Sequence, residues 1–279
     1  MTKQLYDGPS PLYTPEKIEE LRTKLLDSTA ERALIIVLGG KGGVGKTNCA
    51  MQMADFLASL GPLLTIDADP ANGHFYRAFT QEGPGGQREP SRAGIRPIQH
   101  RLRAEDHTGR IDLTACQDML AVIGEAPERF VVVDFPAGDT DTTQRCAEII
   151  VEECRENKIR LIVAVIVGPV DPTPLKVLPS LLPLLRDCDR PVLAKNTHTG
   201  LNFEYLESSE IYRQLQALPG IRITEIEPIG ERITEALRVH NVPWDVLATA
   251  TPMRIRVEAR RLRRNFHNMW LEAIAHDAV

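Results

Sequence analysis

The eleven residues LGGKGGVGKTN (38–48) hold five glycines and two lysines. Within them, GKGGVGKT (Gly40 to Thr47) has the spacing G-x-x-x-x-G-K-[ST] of a phosphate-cradling loop. Glycine lets successive backbone N–H groups converge on phosphate oxygens with no Cβ in the way. Lys46 would neutralise β- and γ-phosphate charge, and the Thr47 hydroxyl would sit on Mg²⁺. Such a loop needs one lysine, so Lys41 is surplus to it. Two acidic segments could complete the chemistry. LLTIDADPAN places Asp67 and Asp69 two residues apart after an apolar run, and FVVVDFPAG ends a second run in Asp134.

These groups need a scaffold that brings them to one edge. The apolar runs 33–39, 63–67, 130–135, 160–168, 191–196 and 221–227 are short, continuous and rich in β-branched residues, as strands buried on both faces are. Helical periodicity falls between them, near 46–60, 143–157, 174–187, 206–217 and 230–240. The alternation predicts an α/β fold, a mostly parallel twisted sheet flanked by helices. The phosphate loop then follows a strand and opens a helix, and the helix N-terminus adds its partial positive charge.

Three segments stand outside this rhythm. Residues 1–30 form an N-terminal extension with a helix starting at Thr14-Pro15, a cap followed by proline at the first helical position. Residues 82–110 are rich in Gly, Pro and charge and read as a variable surface loop or insertion within a domain spanning 31–250. Residues 251–279 contain MRIRVEARRLRRNFHNMWLEAIA, predicted to be a basic helix docked on that domain through Ile255, Ala259, Leu262, Phe266, Met269, Trp270 and Ala273. Arg256, Arg260, Arg263, Arg264 and His267 form a neighbouring face, expected to point outward as a cationic ridge suited to DNA phosphates.

Composition narrows the classes. The net charge of −5 argues against a uniformly basic surface but leaves room for a local patch. No apolar run approaches the roughly 18 residues of a membrane span, and the N-terminus lacks a signal-peptide pattern. Five scattered cysteines with no CxxC pair suggest reduced thiols in a cytoplasm, not a disulfide framework or a metal site. The seven histidines show no ligand spacing.

With Lys41 included, the loop resembles the deviant Walker-A P-loop NTPases, K-G-G-x-G-K-[ST]. This group holds the ParA and MinD partition and positioning ATPases, the nitrogenase iron protein and the arsenite and tail-anchored-protein ATPases. The resemblance implies ATP and Mg²⁺ as cofactors, with nucleotide contacts from Gly40, Lys41, Gly42, Gly43, Val44, Gly45, Lys46, Thr47 and Asn48. It implies that Lys41 reaches across a homodimer interface to the partner's phosphates, so that Lys41, Lys46 and Asp69 are the catalytic set. LLTIDADPAN is similar to the family's first switch, in which Asp67 holds a Mg²⁺-bound water and Asp69 orients the attacking water. Ala71 stands where partition ATPases commonly carry Gln. FVVVDFPAG is similar to the Walker B and second switch, placing Asp134 with Thr47 and Asp67 on the metal and the Gly138 N–H near the γ-phosphate. By the same likeness Asn196 would hydrogen-bond adenine, and the segment around Pro228 would close over the base.

The function this implies is a ParA-like ATPase, cytoplasmic and associated with the nucleoid. Its ATP-bound dimer would bind DNA without sequence preference, and a partner protein would stimulate hydrolysis. Conjugation or plasmid-stability accessory ATPases of the TraL/StbB type share this chemistry with other cargo. A metallocentre or biosynthetic ATPase on the same fold is disfavoured by the missing cysteine pair and by the presence of Lys41.

Overall fold

The computed structural model describes residues 12–26, 30–40, 42–69, 73–102, 113–136, 140–169, 172–249 and 252–276. In chain order the elements are α1 (Pro15–Leu25), β1 (Arg32–Gly39), α2 (Lys46–Ala58), β2 (Leu63–Asp67), α3 (His74–Ala78), β3 (Thr80–Glu82), β4 (Arg88–Pro90) and β5 (Ile95–Gln99). There follow α4 (Thr114–Gly124), β6 (Phe130–Asp134), α5 (Thr140–Glu156), β7 (Ile159–Val167), α6 (Thr173–Asp187) and β8 (Arg190–Asn196). The chain continues through α7 (Glu204–Glu207), α8 (Glu210–Gln216), β9 (Arg222–Ile226), α9 (Glu231–His240), α10 (Trp244–Leu247) and α11 (Met253–Ile274).

Seven strands form one parallel sheet in the order β5-β2-β6-β1-β7-β8-β9. The continuous apolar runs are explained by what lies on each side. In β1, Ala33, Ile35 and Val37 enter the core beneath α1, α2 and α11, while Leu34, Ile36 and Leu38 enter the core beneath α4, α5 and α6. A strand covered on both faces has no polar side to show, so its sequence does not alternate. β1 sits at mid-sheet, where strand order reverses direction, and a crevice opens there beyond the carboxyl ends of the strands.

All six strands read from the sequence are present, and β3, β4 and β5 are additional to them. Part of the segment read as a variable loop forms the β3–β4 hairpin, and residues 95–99 become β5 at the sheet edge. Pro97 is tolerated there because an edge strand has one unpaired side. Arg96 is matched by a two-pronged bond to Glu128, at 2.8 and 2.9 Å.

Both terminal helices pack on their own domain. α1 buries Leu21 and Leu25, and the Arg160 guanidinium donates to the Leu25 carbonyl at 2.6 Å. Arg190, buried at the start of β8, donates to the carbonyls of Gly220 and Ala275 at 2.8 Å each. α11 buries Ala259, Leu262, Phe266, Trp270, Ala273 and Ile274. No helix among the described residues is long and apolar enough to cross a membrane.

The cationic ridge fails at two of its expected members. Arg263 and His267 are buried at 4% and 1% exposure, and both bond Asp55 of α2. Arg263 makes a bidentate pair with Asp55 at 2.6 and 3.0 Å, and the His267 Nε2–Asp55 distance is 2.8 Å. The reason is angular: Arg263 lies four residues after Ala259 and three before Phe266, on the docked side of the helix. It therefore cannot serve as an outward DNA contact. Arg260 remains exposed, although its Nε–H is spent on the Ala248 carbonyl at 2.8 Å. Arg264 is exposed and Arg256 half-buried.

Candidate functional site

The loop between β1 and α2 turns on glycines in conformations that other residues avoid. Gly43 and Gly45 have φ of 83° and 90°. At Gly45 a side chain would also meet the Asn196 amide nitrogen, 2.4 Å from where its Cβ would lie. This close approach lets the Asn196 Nδ2–H donate to the Val44 carbonyl at 2.8 Å, tying the end of β8 to the loop. The Asn196 Oδ1 accepts from the His198 N–H at 3.2 Å.

Three acidic positions converge on the start of α2. Lys46, buried at 6% exposure, forms an ion pair with Asp134 Oδ1, and the Thr47 hydroxyl donates to Asp134 Oδ2 at 2.8 Å. Sheet register places Asp67 beside Asp134 on adjacent strands β2 and β6. The Asp67 carboxylate accepts the backbone N–H groups of Asp69 at 3.1 Å and Tyr76 at 2.9 Å, so it also shapes the turn after β2. Burial pushes the Asp134 carboxyl above its ordinary range against the opposing pull of Lys46 and Thr47, and Asp69 adds a smaller repulsion. Asp67 is raised as well, by burial first and then by its neighbour Asp134, with its two backbone donors working the other way.

A hydroxyl and carboxylates gathered this way are hard oxygen donors, the type that suits Mg²⁺. Among the described residues no three His, Cys, Asp or Glu lie together as a metal cage. The set fits a cation held partly by phosphate oxygens and water, with Thr47 and Asp134 nearest and Asp67 behind. A divalent ion placed there would reverse the unfavourable charge logic of two buried, adjacent acids.

Beside the loop lies a cavity of about 340 Å³. Gly43, Val44, Gly45, Thr47 and Asn48 line its phosphate end, and Asn196 also faces it. Met51, Ile229 and Leu237 supply apolar walls, with His74, Arg238 and Asn241 at the rim. Asn48 is fixed by the Trp244 indole, whose N–H donates to Asn48 Oδ1 at 3.2 Å. Pro228 is exposed, and its neighbour Ile229 is the residue that lines the cavity. The sequence reading missed Met51, Leu237, Arg238 and Asn241. Their signal was weak, because helix residues facing a cavity have the same apolar spacing as residues facing a core. Lys41, Ala71 and Gly138 lie outside the described residues.

The site thus brings Lys46, Thr47, Asp67, Asp69 and Asp134 together, with an apolar cavity adjoining the phosphate loop. No family model matches the chain. Two Arabidopsis thaliana proteins, ATPase GET3C and ATPase GET3B, are each 41% identical to it over 63 residues, or 22% of this chain. The matched stretch spans 16% and 15% of those two proteins. Among solved structures, a putative plasmid partition protein from Borrelia burgdorferi B31 bound to AMPPNP aligns with a TM-score of 0.50 at 13% identity. That alignment covers 86% of this chain and 99% of the other, and it shows a common fold.

Proposed function

We propose that this chain, in fold a P-loop NTPase of the ParA/MinD type, is an ATPase that works as a nucleotide-dependent switch for positioning or partition. The observation carrying this reading is the cluster in which Lys46 and Thr47 share the Asp134 carboxylate beside a base-sized apolar cavity. When bound, Mg²⁺ supplies charge neutralisation on the phosphates. Lys46 would hold phosphate oxygens, and Thr47 and Asp134 would hold the ion. Asp69, whose N–H donates to Asp67, is the residue proposed to orient the attacking water. Met51, Ile229 and Leu237 exclude water from the base. Similarity to proteins named as ATPases, and to a partition protein crystallised with AMPPNP, supports the nucleotide as ATP.

Dimerisation is proposed from Lys41, whose place in the loop suits a cation acting on a partner's phosphates. A trans lysine makes ATP binding and assembly one event. Non-specific DNA is the proposed matrix, with Arg256, Arg260 and Arg264 as the ridge residues that remain candidates, and a partner protein would stimulate hydrolysis. The five cysteines are all buried, which supports this reading over a metallocentre ATPase holding metal on surface thiols.

The test is the oligomeric state and DNA retention of wild type, Lys41→Gln and Asp69→Ala with ATP, with ADP and without nucleotide. We expect ATP-dependent dimers retained on random DNA, a longer-lived dimer for Asp69→Ala and impaired turnover for Lys41→Gln. A wild type that stays monomeric with ATP would sink the dimer mechanism.

A further inference from the structure

A second concavity adjoins the base cavity and shares His74, Arg238 and Asn241 with it. It measures about 570 Å³ and lies between the β3–β4 hairpin, the end of α3 and the segment joining α9 to α10. Arg77, Arg88, Arg92, Arg238, His74 and His240 line it, and among the described residues no Asp or Glu does. In a chain of net charge −5, four arginines drawn from three separate stretches of sequence meet in one groove. Bringing like charges together opposes folding unless something of opposite sign occupies the space.

Arg92 and Arg238 have carboxylate partners, and the arginine aimed into the groove by neutral groups is Arg88. Arg88 is fixed by neutral acceptors: its Nε–H donates to Thr80 Oγ1 at 2.7 Å and its Nη2 to the Thr80 carbonyl at 3.0 Å. Those bonds set the direction of the guanidinium without cancelling its charge. Arg92 is balanced from below by Asp245 at 2.8 Å, with Asp55 at 3.7 Å, so it forms the floor. Arg238 meets Glu235 on an exposed helix face, a solvated pairing worth little and easily exchanged for a phosphate. Ala78, Val242 and Pro243 give the groove apolar walls. Fixed guanidinium donors in a concave setting with apolar walls suit phosphate oxygens attached to an organic body.

We propose that this groove is a second anion site, binding the phosphate groups of a ligand other than the nucleotide on the P-loop. It goes beyond the ATPase reading, since nothing in the hydrolytic cluster requires it. The chemistry is that of a free polyphosphate or of a nucleic-acid strand's phosphodiesters. Because Arg238 borders both cavities, occupancy of one alters affinity in the other, and by the same factor in each direction.

The experiment is a calorimetric titration of the full chain, first saturated with AMPPNP and Mg²⁺ to block the P-loop, using inorganic tripolyphosphate, short oligothymidylate and polyglutamate as probes. We expect at least one phosphate probe to bind. Tripolyphosphate alone would assign the site to free polyphosphates, and oligothymidylate alone to a nucleic-acid strand. Arg77→Glu, at an exposed position, should weaken binding about tenfold or more, whereas Arg77→Lys should retain most of it. Arg213→Gln, on α8 against the opposite face of the sheet, should bind as wild type does. The proposal is overturned if neither phosphate probe binds, if Arg77→Glu binds as tightly as wild type, or if polyglutamate binds as well as the phosphates. Failure of AMPPNP itself to bind would instead strike the ATPase reading. The same probes titrated without AMPPNP would then decide the groove by the same Arg77 comparison.

Discussion

Two buried aspartates, Asp134 beside the start of α2 and Asp55 within that helix, are each paired with a cation, and they differ in how completely they are satisfied. Asp134 meets Lys46 and the Thr47 hydroxyl, yet burial still raises its carboxyl above the ordinary range. Asp55 is also taxed by burial, but Arg263 and His267 overcome that and hold it well below the usual carboxylate range. His267 is itself pushed down by burial, the neutral tautomer that donates from Nε2 to Asp55 and accepts the Tyr13 hydroxyl at Nδ1, 3.1 Å away. One cluster is closed: every partner is protein, and it locks α2 to α11 and to the N-terminal segment. The other keeps a carboxyl raised by burial, which the proposed phosphate and cation would relieve. The same kind of ion pair is a fastener in one place and a site in the other. What separates them is the number of hydrogen bonds each carboxylate receives.

The largest expected effect breaks the fastener. Asp55→Asn strands the Arg263 charge in the core and should cost about 3–5 kcal/mol of folding stability, read by urea unfolding at neutral pH. Nucleotide affinity of the folded protein should stay close to wild type; a matching collapse in affinity would mean that the two clusters are one. Asp134→Asn should show the opposite signature, with hydrolysis reduced about a hundredfold or more while stability changes by about 1 kcal/mol or less. Steady-state turnover and thermal unfolding of the same preparation check both halves.

A smaller effect sharpens the comparison at Asp245, which backs the fastener through Arg92. Burial, followed by repulsion from Asp55, raises its carboxyl from 3.8 to about 6. Between those values the folded protein keeps a proton that the unfolded chain has released. Stability contributed by this group is therefore present below pH 3.8 and is lost as pH rises through about 6. Asp245→Asn should remove that slope, so the variant's stability relative to wild type rises by on the order of 2 kcal/mol between pH 4 and pH 7. A difference that stays flat with pH would refute the raised carboxyl.

The parts of the molecule legible in the sequence are those in which local pattern and tertiary environment agree. The strand-ending carboxylates Asp67 and Asp134 could be paired with the phosphate loop because a parallel sheet puts the ends of β1, β2 and β6 on one edge. β5 was hidden because in IRPIQ an arginine and a proline separate the two isoleucines, a composition that looks like loop until Glu128 is seen opposite Arg96. α4 escaped notice beside the Gly- and Pro-rich stretch before it. Arg263 was misread because a charged residue at the border of an apolar stripe is ordinarily solvated, and only Asp55, 208 residues earlier in the chain, draws it inward. Asn196 was recognisable as a site residue. Its bond to the Val44 carbonyl was not, since it depends on a glycine with no Cβ at position 45.

The placement of β5 has a consequence for how such a protein diversifies. β5 is the outermost strand of the sheet, four places from β7, and the β3–β4 hairpin precedes it in the chain. That hairpin can lengthen, shorten or be swapped without rethreading the three central strands. Lineages that share one engine can therefore acquire different attachments at this rim. An engineer seeking a new binding loop would graft it at the β3–β4 turn, which is not part of the seven-stranded sheet.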